Sequence, residues 1–328
     1  MPFNSICGHD APLRMLKNIL VSDKIPHAFL FAGIEGIGKK KAAVSFAKAL
    51  NCLELEGDFC DRCLSCSKID RMIHPDVQQI EPDEKSADDK KKEGQTDRIR
   101  RLQREIAYKP LEGKKKVVII NDAEKLNSNS VNCFLKTLEE PGDDTIIILI
   151  SKNVESMLST VVSRCQKVSF MPLGDAEMSA LLEDNGIDKE NAVQVLSHAQ
   201  GSVKRALFLL ESDFLLKRAE VSQYLSLLAK GNFEVVYDLS KLINDDQGRE
   251  VLFEFLQTWY RDVLFIMEGL SDSVIYNHDL LEGISATAEN ETKEGVIKKM
   301  KRLQWFNNNP SLTVNFEMGL QSLFTQGI

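Results

Sequence analysis

The chain has 328 residues, 43% of them hydrophobic, and a net charge of -8, the composition of an ordinary globular protein with room for two or three domains. It holds no uncharged apolar run of about 18 residues, so no membrane-spanning helix is expected. The segment Met1 to Asp10 lacks the basic-then-apolar pattern of a secretion signal, so the expected location is cytoplasmic, and the acidic balance argues against autonomous DNA binding, which rests on neutralising phosphates.

In chain order, the first expected element is a buried parallel strand, Ala28 to Ala32. It runs into Gly33-Ile34-Glu35-Gly36-Ile37-Gly38-Lys39, the G-x-x-x-x-G-K pattern of a phosphate-binding loop. A helix is expected from Lys39 to Leu50, with Ala43, Phe46, Ala47 and Leu50 on one face. Strand, loop and helix are the context that the loop chemistry requires. Glycines at 33, 36 and 38 allow close backbone approach, the helix N-terminus attracts anions, and Lys39 supplies charge.

Four of the seven cysteines follow: Cys52, Cys60, Cys63 and Cys66, spaced C-x7-C-x2-C-x2-C. In a cytoplasmic chain such cysteines are not expected to pair as disulfides. Four thiolates are the donor set of a tetrahedral structural Zn²⁺, and four protein ligands leave no open position for catalysis. Cys7, Cys133 and Cys165 read as small buried residues. His74-Pro75-Asp76 leads into a second strand, Val77 to Ile80. Residues 83–97 are almost devoid of apolar side chains and read as a solvated loop, before a basic amphipathic helix from Arg98 to Ile106. Val117 to Ile120 is a third strand, Ser130 to Glu139 a helix stopped by Pro141-Gly142, Thr145 to Ile150 a fourth strand and Gln166 to Phe170 a fifth. Strands alternating with helices predict an α/β fold with a parallel sheet covered on both faces.

Beyond Pro172 the pattern is helical: Asp175 to Asn185, Asn191 to Gln200, Ser202 to Glu211, and then longer stretches such as Glu250 to Glu268, with Gly269 as its stop. The expected domains are an α/β domain over 1–172 carrying the cysteine module, a small helical lid over 173–212 and an all-α domain over 213–328.

The loop lacks the parts that hydrolysis needs. After the loop lysine a Ser or Thr hydroxyl should ligate Mg²⁺; here Lys40 stands in its place, and an ammonium has only donors and repels a cation. After the third strand an acidic pair should hold the metal and polarise the attacking water; here the positions are Asn121 and Asp122. Three departures in one mechanism predict absent or very slow turnover. A variant ATPase in which Glu124 substitutes is the rival reading, and nucleotide occupancy of the loop stays open. Arg164 precedes the fifth strand, and on sequence alone a surface arginine is its plain reading.

These features come with others: His27-Ala28-Phe29-Leu30-Phe31, Ile99-Arg100, Leu135-Lys136-Thr137-Leu138-Glu139-Glu140-Pro141 and Ser163-Arg164-Cys165. On these residues the chain resembles the delta-prime family of bacterial DNA polymerase III clamp-loader subunits, in the AAA+ superfamily. Past residue 213 the match is weaker in motif yet compatible with that family's helical collar. The resemblance implies a non-motor subunit beside the gamma/tau motors and delta. It implies action on the sliding clamp and primer-template DNA through the complex, and Arg164 acting in trans on a neighbour's ATP. Lys204 falls where the motor subunits carry a nucleotide-sensing arginine. A gamma/tau-type motor is the alternative, set back by Lys40, Asn121 and Asp122.

Overall fold

The computed structural model describes all residues except 1–2, 4–5, 23, 82–93, 107, 143, 212–213, 243–245, 309–315 and 326–328. The chain divides into two compact units, Met1–Leu207 and Phe208–Ile328.

The first unit is built on five parallel strands: β1 (Ala28–Ala32), β2 (Val77–Ile80), β3 (Lys116–Ile120), β4 (Thr145–Ser151) and β5 (Gln166–Ser169), in the order β2-β3-β4-β1-β5. All residues of β1 and β4 are buried, as continuous apolar runs in a two-faced parallel sheet should be. Successive side chains point to opposite faces, so the strands divide into two cores. Phe29, Phe31, Val117, Ile119, Ile146 and Ile148 face one side, packed on α1 (Asp10–Leu20) and α2 (Lys39–Asn51). Leu30, Val118, Ile120, Ile147 and Leu149 face the other, with Ile99, Leu102, Phe134 and Leu138.

Between α2 and β2 runs α3 (Leu64–Asp70). Then α4 (Gln95–Ile106) precedes β3, α5 (Ser128–Glu139) precedes β4, and the single turn α6 (Ser159–Val162) precedes β5. Three short helices follow: α7 (Asp175–Asp184), α8 (Lys189–Ala199) and α9 (Val203–Glu211).

Most differences from the expected elements are at ends. α4 begins at Gln95 rather than Arg98, because Asp97 and its neighbours make a good first turn; residues 83–93 of the expected solvated loop lie outside the described residues. α5 starts two residues early because Asn127 caps it, its side chain accepting from the Ser130 amide at 2.8 Å. α1 has no counterpart among the expected elements. Its Pro12 lies in the first turn, where a missing N–H costs nothing.

The second unit is all helical: α10 (Phe214–Ala229), α11 (Val235–Lys241), α12 (Asp246–Met267), α13 (Leu281–Asn290), α14 (Lys293–Asn308) and α15 (Phe316–Thr325). Trp259 and Tyr260 are fully buried on α12. Asp262, also fully buried, accepts from the Tyr276 and Asn277 amides, while Arg218 bonds Asn277 and Asp279. Gly269 takes a φ of 71° and closes α12, as its sequence position suggested.

Candidate functional site

The phosphate loop spans β1 and α2, and its shape demands glycine. A Cβ on Gly33 would strike the Phe170 carbonyl, and one on Gly36, at φ 79°, would strike Ser202 Oγ and Lys204 Cβ. The loop is therefore packed against β5 on one side and the start of α9 on the other. The Val203 amide donates to the Gly36 carbonyl at 3.1 Å.

Lys39 turns back into its own loop. Its Nζ donates to the Gly33 and Ile34 carbonyls, each at 2.5 Å, and the residue is only 6% exposed. Burial lowers its pKa to about 8, a shift that Glu124, Glu35 and Asp122 oppose. Lys40 takes the position of the metal-binding hydroxyl. Its Nζ bonds Glu81 Oε1 at 2.9 Å, and the same oxygen accepts from Asn121 Nδ2 at 2.5 Å. The cation, amide and carboxylate satisfy one another where a magnesium ion would need an oxygen-lined shell.

Asp122 lies in the left-handed region at φ 41° and pairs with Lys125 at 2.9 Å. Glu124 accepts from the Lys152 amide at 3.3 Å through Oε1, and lines a cavity of about 110 Å³ with Phe134, Leu149 and Met157. Glu35 bridges two lysines, Lys204 at 2.6 Å and Lys152 at 3.2 Å. Burial works to raise its pKa, but the two ammonium groups hold it at about 2.

Cys52, Cys60, Cys63 and Cys66 bring their sulfurs within 4.8 Å of one another. Four sulfurs at about 2.3 Å from one tetrahedral ion lie closer than that to each other, so the donor set fits a metal. Backbone amides already point at three of these sulfurs: Leu55 to Cys52, Cys63 to Cys60 and Cys66 to Cys63, at 3.3–3.5 Å. Such N–H···S bonds stabilise thiolates and orient them, as partners of metal ligands do. Cys63 also caps α3. The neighbouring His74-Pro75-Asp76 segment ties this module to the sheet. His74 Nε2 meets Ser65 Oγ at 3.3 Å, and Asp76 accepts from the amides of Leu111, Glu112 and Gly113.

Arg164 is exposed, just before the edge strand β5. Its Nη2 bonds Glu139 Oε1 at 2.7 Å and its Nη1 the Thr160 carbonyl at 2.9 Å. Two motifs that stood apart in the sequence thus meet. Cys165 turns inward, and burial pushes its thiol up to about 11. Gly33, Gly36, Gly38 and Lys39 lie together in one loop, the four cysteines cluster elsewhere, and Arg164 stands apart from both. Sequence reasoning missed Glu35, Glu81, Lys152 and Ser202, whose roles depend on partners far along the chain. Only Glu35 carried a signal, as an acid inside a loop that favours anions.

A family model described as DNA polymerase III, delta subunit, matches residues 8–174, and one described as its C-terminal part matches residues 212–326. The chain is 32% identical to DNA polymerase III subunit delta' of Bacillus subtilis (strain 168), over 88% of this chain and 86% of that one. It is 29% identical to subunit tau of the same organism, over 93% of this chain but only 59% of tau. Among solved structures, a DNA polymerase III gamma subunit-related protein from Thermotoga maritima aligns over 95% of this chain and 96% of that one, at 17% identity and a TM-score of 0.41, too distant to carry an argument. Matched by that family in both halves of its length and by a delta' relative nearly end to end, the chain belongs to the delta-prime family of DNA polymerase III clamp-loader subunits.

Proposed function

We propose that this chain is the non-motor member of its clamp loader: it does not turn over ATP, and it presents Arg164 to the nucleotide of an adjacent gamma/tau-type motor subunit. The observation that carries the first half is the Lys40–Glu81–Asn121 cluster, which puts a tethered cation and its counterion where the metal of a working site would go. Arg164 supports the second half. It is exposed beside an edge strand and keeps donors beyond the two its present bonds use. A guanidinium delivered across a subunit boundary neutralises charge developing on the transferred phosphoryl group.

Within this reading residues 173–212 act as a lid on the α/β domain and residues 213–328 as the oligomerising collar. Other clamp-loader subunits, gamma/tau and delta, are the direct partners, with sliding clamp and primer-template DNA reached through the complex. Zn²⁺ is the ion proposed for Cys52, Cys60, Cys63 and Cys66, where it would crosslink a segment short of regular structure.

The test is ATP hydrolysis by the isolated chain and by the reconstituted complex. The isolated chain should show none; turnover on the order of 1 per second or above, abolished by Lys39→Ala, would favour the motor reading. In the complex, Arg164→Ala should lower DNA- and clamp-stimulated hydrolysis after size-exclusion has confirmed assembly. Such arginines are worth roughly 10³ to 10⁵ at the site they serve. The observed fall should be smaller, since other interfaces keep their own. Arg164→Lys should rescue only partly, because lysine lacks the planar fork. An assembled complex with an unchanged rate would make Arg164 a surface residue.

A further inference from the structure

Glu35 sits inside a loop whose backbone is shaped for phosphate, and it is the only acid between Gly33 and Lys39. Its two oxygens are taken by two cations from distant parts of the chain. Lys152 follows β4, 117 positions away, and Lys204 stands in the first turn of α9, 169 positions away. Lys39 and Glu124, Asp122 and Lys152 share the same field. An exposed ion pair by itself contributes little. This one is backed by the Val203 amide on the Gly36 carbonyl and by the packing of Ser202 and Lys204 on Gly36. A phosphate at this loop would offer its oxygens to the same two cations, one at the end of the neighbouring strand and one on the helix above.

We propose that Glu35 is a built-in anion that fastens Lys152 and the start of α9, through Lys204, to this loop, and that neutralising Glu35 releases these two cations to form, with Lys39, a metal-independent polyphosphate site. Closure of the loop is then permanent and independent of nucleotide, because the ligand is part of the chain. The carboxyl stays charged through all ordinary pH, as its value of about 2 requires. Nothing in this inference depends on what Arg164 does.

The experiment uses the full chain, with inorganic tripolyphosphate and metal-free ATP as probes in calorimetry and hydrogen exchange read at the Val203 amide. Glu35→Gln keeps the side chain's shape and should bind tripolyphosphate at least about tenfold more tightly than the unaltered chain. The same substitution should speed Val203 exchange about tenfold, and tripolyphosphate should slow it again. Lys204→Ala should speed exchange equally yet gain no affinity, and adding it to Glu35→Gln should remove the gain. Both changes are required of Glu35→Gln. Equal affinity in the unaltered chain and Glu35→Gln would show that Glu35 does not keep these cations from phosphate. Unchanged exchange would show that Glu35 fastens nothing, and either result alone overturns the proposal.

Discussion

Asp76→Asn should loosen the junction between the cysteine module and the sheet. Asp76 is 2% exposed, and its carboxylate accepts three backbone amides: Leu111 at 2.8 Å on Oδ1, and Glu112 at 2.9 Å and Gly113 at 2.8 Å on Oδ2. Burial would raise this carboxyl, but the amides outweigh it and hold the group below the usual aspartate value. Asparagine has nearly the same shape but only one acceptor oxygen. If that oxygen serves Glu112 and Gly113, the new NH₂ faces the Leu111 amide and one donor is orphaned, at about 1–3 kcal/mol. The two remaining bonds lose their charge assistance, adding roughly 1 kcal/mol more. The expected loss is about 2–4 kcal/mol, a fall on the order of 1 M in urea midpoint.

The chain's two tryptophans, Trp259 and Trp305, both lie in the second unit. Far-UV dichroism with hydrogen exchange at residues 111–113 should therefore follow the first unit, with tryptophan fluorescence as the internal reference. A loss below about 1 kcal/mol, with exchange at those three amides unchanged, would refute the reasoning.

Zinc bound by the purified chain, measured by metal analysis, should fall from one ion per chain to well below one in Cys63→Ser. Exchange should then rise over residues 52–70 while the sheet amides stay protected, because metal binding organises this loop-rich segment. A second expectation concerns acid. Glu35 is shifted down from 4.5 to about 2, so the stability it adds is fully present above pH 4.5 and fades as pH falls toward 2. Lys39, lowered only to about 8, keeps its charge over this range. The Glu35 side chain's exposure of 44% limits the effect to less than about 1 kcal/mol, read as the difference between the unaltered chain and Glu35→Gln in urea titrations from pH 6 to pH 2.5.

The order of strands and helices was legible because apolar runs such as Thr145-Ile146-Ile147-Ile148-Leu149-Ile150 can be satisfied only in a sheet covered on both faces. The C-x7-C-x2-C-x2-C spacing anticipated sulfurs close enough to share one ion, since short steps keep ligands together without help from the rest of the fold. Lys40 and Asn121 signalled by type alone a departure from the metal-binding pattern, because an ammonium has only donors and an amide lacks the carboxylate's charge. Helix ends were less legible: the start of α5 turns on a single cap from Asn127.

What Lys40 and Asn121 meet could be decided only in three dimensions. Glu81 meets Lys40 because β2 pairs with β3 and ends beside the loop, a neighbour relation 41 positions apart that no local pattern encodes. The same holds for Lys152 and Lys204 on Glu35, and for Glu139 on Arg164. A sequence states which atoms can donate, accept or carry charge; only the crossing order of the strands brings together those that must satisfy one another.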